Sequence, residues 1–180
     1  MNQAVKIITF FILTILSSVS HAETLNSSEN PKYNSSINPK YNSNINPKYN
    51  SSLNPKYNSG INPKYNSSLN PKYNSGINPK YNSSLSPKYN TYLNPKNIGW
   101  SGYYVYNKDA SKIGVVVVAN MDNLTYFNGN LEWSGYFSTN GASGYNWFTL
   151  EGEWIGYLIH NSSKGFNLFD TDGKWIGFLS

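Results

Sequence analysis

Two pairs of carboxylates near the end of the chain, Glu151/Glu153 and Asp170/Asp172, are the residues best suited to breaking a bond. Acids two apart on one hairpin could flank a scissile linkage, as the acids of glycoside hydrolases do. Their polar positions recur, however, in a column 21 residues apart: Asp109, Asn130, Glu151 and Asp172. A repeated position of mixed chemistry points to turn structure, so no catalytic residue is assigned. His160 takes the place of Val118 and Thr139 in the same repeat and reads as a strand-end surface residue. One histidine cannot build a metal cluster, and there is no cysteine to help it. Neither a phosphate loop nor a serine nucleophile motif is present, and no cofactor is implied.

Two other sets suit binding. Trp133, Trp154 and Trp175 recur on the 21-residue period beside polar residues, which suits stacking on a sugar or a cation. Core packing is the competing use of three large rings in a small domain. The second set is Lys32, Lys40, Lys48, Lys56, Lys64, Lys72, Lys80 and Lys88, each followed by tyrosine. Charge beside an aromatic face could hold an anionic polymer; the alternative is that lysine keeps a tyrosine-rich segment soluble.

The tryptophans must be positioned by hairpins. Gly114, Gly135, Gly156 and Gly177 are 21 apart, and each ends a copy of one aromatic motif. Two short β-rich runs around a polar turn make a hairpin. Glu151-Gly152 and Asp172-Gly173 supply turn chemistry, whereas Asn107 to Ser111 lacks the glycine. A glycine inside the second strand marks close approach or coverage by a ring. A single hairpin is barely stable, but four placed radially share a core and leave few open edges. The expectation for 98–180 is all-β: four antiparallel hairpins, about eight strands, around a pseudo-four-fold axis.

The lysines lie in an array. All nine prolines, from Pro31 to Pro95, are eight apart, in units of [Ile/Leu]-Asn-Pro-Lys-Tyr-Asn-Ser-[Ser/Gly]. Proline excludes regular helix from every unit, and Asn-Pro-Lys-Tyr favours a turn. One aliphatic side chain and one tyrosine per unit bury little against the ordering entropy. A flexible or weakly ordered array is therefore expected over 30–97, with an eight-residue solenoid as the alternative. The array carries nine lysines and no acid; residues 98–180 carry four lysines and seven acids. There is no arginine, which disfavours sequence-specific nucleic-acid recognition.

Residues 1–22 read as a secretory signal peptide: Lys6, the apolar run from Ile7, and Ser20-His21-Ala22 at the cleavage site. That run is too short to span a bilayer. Residues 23–29, with Glu23 and Glu29, form a short acidic linker.

The runs Tyr145-Asn-Trp-Phe-Thr-Leu-Glu-Gly-Glu-Trp-Ile-Gly-Tyr-Leu and Phe166-Asn-Leu-Phe-Asp-Thr-Asp-Gly-Lys-Trp-Ile-Gly-Phe-Leu resemble the four-fold β-flower domain family, over about 99–180. The resemblance implies four hairpins around a pseudo-four-fold axis and carries over no catalytic residue. The first unit departs from the pattern, with Lys112 in place of tryptophan and Ala110 in place of the turn glycine. A looser analogy is to choline-binding modules, whose Gly-Trp opening and Trp-Tyr-Tyr run are missing here. The function expected is exported and non-enzymatic: a basic repeat stalk and a small β-domain for binding or display at the cell envelope. The partner would be an envelope polymer or glycan. A glycan-binding module using exposed aromatics is the alternative, and a hydrolase using turn carboxylates is a third reading.

Overall fold

The computed structural model describes residues 25–180, so the expected signal peptide over 1–22 lies outside the described residues. Among these residues there is no α-helix. Eight strands, β1 (Tyr103–Asn107), β2 (Lys112–Val118), β3 (Asn123–Asn128), β4 (Trp133–Thr139), β5 (Gly144–Phe148), β6 (Trp154–His160), β7 (Phe166–Asp170) and β8 (Trp175–Leu179), follow one another around a closed antiparallel barrel. Each hairpin read in the sequence is thus also laddered to the next, and β8 closes on β1 through Val105↔Leu179 and Tyr106↔Phe178. Closure removes the open edges that would invite aggregation.

Alternation divides the barrel into an inner and an outer face. Val105, Val116, Leu124, Phe137, Leu158, Phe166, Leu168 and Leu179 form the buried interior, with Tyr103, Tyr126, Tyr145 and Trp147 packed against them. Trp147 stacks on Phe137 at 5.5 Å and meets Tyr126 edge-on at 5.6 Å. A second, outward-facing belt is also buried, except for half-buried Tyr106. Across successive hairpins Tyr136 stacks on Phe148, Tyr157 on Phe169, and Phe178 on Tyr106, at 5.0–5.6 Å. At the remaining junction the pair is Val115↔Phe127.

The glycine column does what its spacing predicts. A Cβ on Gly114, Gly135, Gly156 or Gly177 would run into the carbonyl oxygen of Phe127, Phe148, Phe169 or Tyr106 respectively, on the neighbouring strand. The left-handed turn position recurs on the same period: Ala110 (φ 58°), Leu131 (φ 59°), Gly152 (φ 87°) and Gly173 (φ 83°).

The array differs from the flexible stalk expected. Its units run through 3-10 turns from Ser35–Ile37 to Thr91–Leu93, and two asparagines per unit stitch each turn to the one before. Asn54 accepts from the Lys56 amide at 2.9 Å and donates to the Pro47 carbonyl at 3.0 Å, seven residues back. Asn58 accepts from the Gly60 amide at 3.1 Å and donates to the Ser52 carbonyl at 2.7 Å, six residues back. Ile37, Leu53, Ile61, Leu69, Ile77 and Leu85 are buried. Apolar side chains alone do not offset the ordering entropy. Asparagine satisfies backbone groups between units, and the barrel supplies the second wall.

That wall is the outer face. Asn167, on β7, donates to the Glu29 carbonyl at 2.8 Å, and Asn146, on β5, to the Leu53 carbonyl at 3.2 Å. On β4 the Ser138 hydroxyl donates to the Leu69 carbonyl at 3.1 Å, and on β1 the Tyr104 hydroxyl donates to the Pro95 carbonyl at 2.8 Å. Leu93 joins Val115, Val117, Phe127, Trp100 and Trp133 in one apolar contact. The array therefore winds around the barrel against the order of the strands and covers it, rather than standing apart as a stalk.

Candidate binding surface

Each unit places its tyrosine outward. Tyr33, Tyr41, Tyr49, Tyr57, Tyr65, Tyr73, Tyr81 and Tyr89 are 64–77% exposed, because the aliphatic residue of the same unit takes the inward position. Six lysines, Lys32, Lys40, Lys48, Lys64, Lys72 and Lys88, set Nζ 5.3–5.8 Å from the ring centre of the tyrosine that follows. Exposed cation–π pairs of this kind contribute about 0.5–1 kcal/mol each. The surface is thus a ladder of repeated ammonium–phenol pairs.

Two lysines leave the ladder. Lys56 lies 5.9 Å from the ring of Trp154, and Lys80 lies 5.9 Å from the ring of Trp133. The lysines are 24 residues apart, three units of the array, where the tryptophans are 21 apart, one hairpin. Tyr57 and Tyr81, left by their lysines, are the most exposed of the eight at 76% and 77%. Two candidate sets drawn from separate parts of the sequence therefore meet each other.

The tryptophans reach that position through β-bulges. Strict alternation from inward Phe137 through Gly135 would send Trp133 into the barrel. A register shift between Tyr126 and Phe127 instead pairs outward-facing Phe127 with Trp133. The same shift pairs Phe148 with Trp154 and Phe169 with Trp175. An extra residue on one strand turns the following side chains to the other face. All three rings are half-buried, and those of Trp133 and Trp154 lie against array lysines. The Trp133 indole donates to the Gly135 carbonyl at 3.0 Å. In the first hairpin Lys112 stands at this position and lies 4.4 Å from the ring of Tyr104.

The carboxylates lie at the hairpin turns. Asp170 accepts from the amides of Asp172 at 3.0 Å and Lys174 at 2.9 Å, closing its own turn. Glu151 and Glu153 are exposed. Equivalent turns are closed by Asn107, which accepts from Asp109 and Ser111, and by Asn128, which accepts from Asn130 and Glu132. Thr149 accepts from Glu153 in the third. The column that holds the turns is therefore Asn107, Asn128, Thr149 and Asp170, two residues before the polar column singled out in the sequence. Its signal was legible: Asx residues accept from the amide two positions on. His160 is exposed and packs 4.3 Å from the ring of Phe166. Among the described residues no group of three His, Asp or Glu side chains could hold a metal ion.

Burial raises the hydroxyl pKa of Tyr136 and Tyr157 far above the ordinary tyrosine value, with the Asp170 carboxylate adding to the effect at Tyr157. Both hydroxyls lack a hydrogen-bond partner among the described residues and lie beneath the turn glycines Gly152 and Gly173.

No family model matches the chain, and neither a curated protein nor a solved structure matches it.

Proposed function

We propose that the protein is an exported, non-enzymatic binding or display protein of the cell envelope, as the leader-like N-terminus and the basic array suggest. The observation that carries this reading is the repeated, solvent-facing Lys–Tyr pair, presented by six of the eight Lys-Tyr units of a wound array. A surface that repeats a few chemical groups at fixed intervals suits a ligand that repeats too. An envelope polymer has that property and a small metabolite does not. The barrel is, in this reading, four copies of one hairpin about a pseudo-four-fold axis, the arrangement that the resemblance to β-flower domains implies. Supporting it are the glycine–carbonyl contacts, which recur every 21 residues and continue across the closure from Gly177 to Tyr106.

The test is fractionation of the producing cell. The exported protein should begin at Glu23 by intact mass, co-sediment with washed envelope and come off with salt. Full-length protein confined to the soluble cytoplasmic fraction would overturn the reading.

Tyr57 and Tyr81 favour a second reading, neutral glycan binding, because their rings carry no lysine and are the most exposed. A Tyr57→Ala/Tyr81→Ala variant should then lose binding on a glycan array, with no dependence on salt, since ring stacking involves no net charge.

A further inference from the structure

Where the array crosses the hairpin turns it leaves three clefts of similar size. One, of about 390 Å³, lies between Pro95–Lys96 and the turn Asn128–Leu131, with Lys112 on its wall. The second, of about 370 Å³, lies between Lys56, Asn62 and Lys64 on one side and Gly152–Trp154 on the other. The third, of about 380 Å³, lies between Lys40, Asn46 and Lys48 and the turn Asp172–Lys174. These turns are the β3–β4, β5–β6 and β7–β8 turns, related by the 21-residue period, so the clefts sit along one rim of the barrel.

Every cleft is lined by at least two lysines. The first has no carboxylate in its lining, and Glu153 and Asp172 contribute one each to the others. Each is therefore net cationic. Array and barrel build these clefts jointly: array lysines form one wall and a hairpin turn the other. The first cleft also gives a use to the departure of hairpin one from the pattern, since Lys112 adds a positive charge where the other hairpins carry tryptophan.

We infer that the three clefts together form a binding site for a linear anionic polymer, whose phosphate or carboxylate groups enter successive clefts along the rim. Charge complementarity and recurrence both favour such a ligand. A single anion facing two hydrated lysines gains little, because exposed ion pairs contribute about 0–1 kcal/mol. A chain that engages two or three such clefts turns later contacts into intramolecular ones and gains avidity of about 10²-fold or more. This inference rests on the reading above of a polymer-binding protein but names the groups that do it. Its test uses purified protein, so its failure leaves the fractionation result standing.

The probes are long-chain inorganic polyphosphate, polygalacturonate, orthophosphate and neutral dextran, followed by calorimetry and by tryptophan fluorescence, since Trp154 lines the second cleft. At least one anionic polymer should bind about 10²-fold more tightly per chain than orthophosphate, and dextran should not bind. Polyphosphate alone would assign a phosphate polymer and polygalacturonate alone a uronate. Lys56→Gln/Lys64→Gln should weaken binding about tenfold, whereas Lys108→Gln/Lys164→Gln, which removes the same charge outside both the clefts and the lysine–tyrosine ladder, should change it by less than about threefold. If the first variant melts below the wild type, Lys96→Gln/Lys112→Gln at the first cleft makes the same comparison. Equal losses for cleft and non-cleft variants would overturn the inference in favour of diffuse surface charge, and so would no polymer binding at low salt.

Discussion

A methyl group is enough to test the barrel at Gly156, because a Cβ there would collide with the Phe169 carbonyl and press on the Trp147 ring at 3.4 Å. Neither neighbour can move away: one is ladder backbone and the other is packed in the interior. Gly156→Ala should destabilise the protein by about 1–3 kcal/mol, the usual cost of overpacking. At Gly60 an added Cβ meets only the Asn58 side chain at 3.3 Å, and serine stands there in four units, at Ser36, Ser52, Ser68 and Ser84. Gly60→Ser should leave the thermal melt unchanged, and equal melts for the two variants would remove the close-approach reading. Ala110 presents the opposite case, a Cβ held at φ 58°. Left-handed backbone costs a non-glycine residue roughly 1–2 kcal/mol, partly offset by glycine's greater freedom when unfolded. Ala110→Gly should therefore stabilise by about 0.5–1 kcal/mol in denaturant titration. The buried hydroxyls set the pH response. Folded Tyr136 and Tyr157 hold their protons above the value at which the unfolded chain releases them. Their contribution is complete below about pH 10 and is lost as pH rises toward the folded values, with a slope of up to about 1.4 kcal/mol per pH unit for each. Tyr136→Phe should flatten that alkaline decline without loss at neutral pH, because the hydroxyl it removes has no partner.

At the scale of elements, a good deal was legible and the gaps have physical causes. The all-β antiparallel character and the close-approach glycines are legible from spacing alone, because each depends on local geometry repeated at a fixed interval. The direction of the tryptophans was not legible. A bulge reverses the face of every residue beyond it, and nothing in Tyr126-Phe127 distinguishes a bulged ladder from a regular one. The Asp109 column lies in the turns, as its repetition indicates, but the residues that close them, Asn107 and its equivalents, stand two positions earlier. Asn-Pro-Lys-Tyr is legible as one turn per unit, but the 3-10 turn that follows it is not, and the second role of asparagine, its amide reaching a carbonyl one unit back, belongs to the stacked state and is invisible in a single unit. One irregularity shows this dependence. Ser86 replaces the asparagine before proline, and the bond from that position to Pro79 is not made, whereas Asn78 one unit earlier donates to Pro71 at 2.7 Å. Hydrogen exchange tests the array directly. The amides of Tyr57 and Asn58, both bonded to the Asn54 carbonyl, should be protected, and protection should fall from residue 86 onward. Uniformly fast exchange over 30–97 would restore the flexible stalk.

The whole molecule is best described as a barrel wearing its own N-terminal segment, and this bears on how it unfolds. Tyr136, Phe148, Tyr157 and Phe169 face outward yet are 1–2% exposed. Asn146 and Asn167 are buried on the same face, with their amides spent on array carbonyls. Stripped of the array, the barrel would expose a ring of aromatic surface and leave those asparagines without acceptors. The array, for its part, has one aliphatic residue per unit and would lose the wall against which it is buried. Each half thus supplies what the other lacks, and the two should unfold together. All five tryptophans lie between Trp100 and Trp175, and more than half of the tyrosines lie in the array, so tryptophan fluorescence and array hydrogen exchange follow the halves separately. Their denaturation midpoints should coincide in the wild type. Asn146→Ala/Asn167→Ala removes both donors and leaves the Leu53 and Glu29 carbonyls without them, at about 1–3 kcal/mol for each buried group left unpaired. The variant should lower both midpoints together. If the array alone loosened while the tryptophan transition stayed where it was, the barrel would be self-sufficient and the array only a covering.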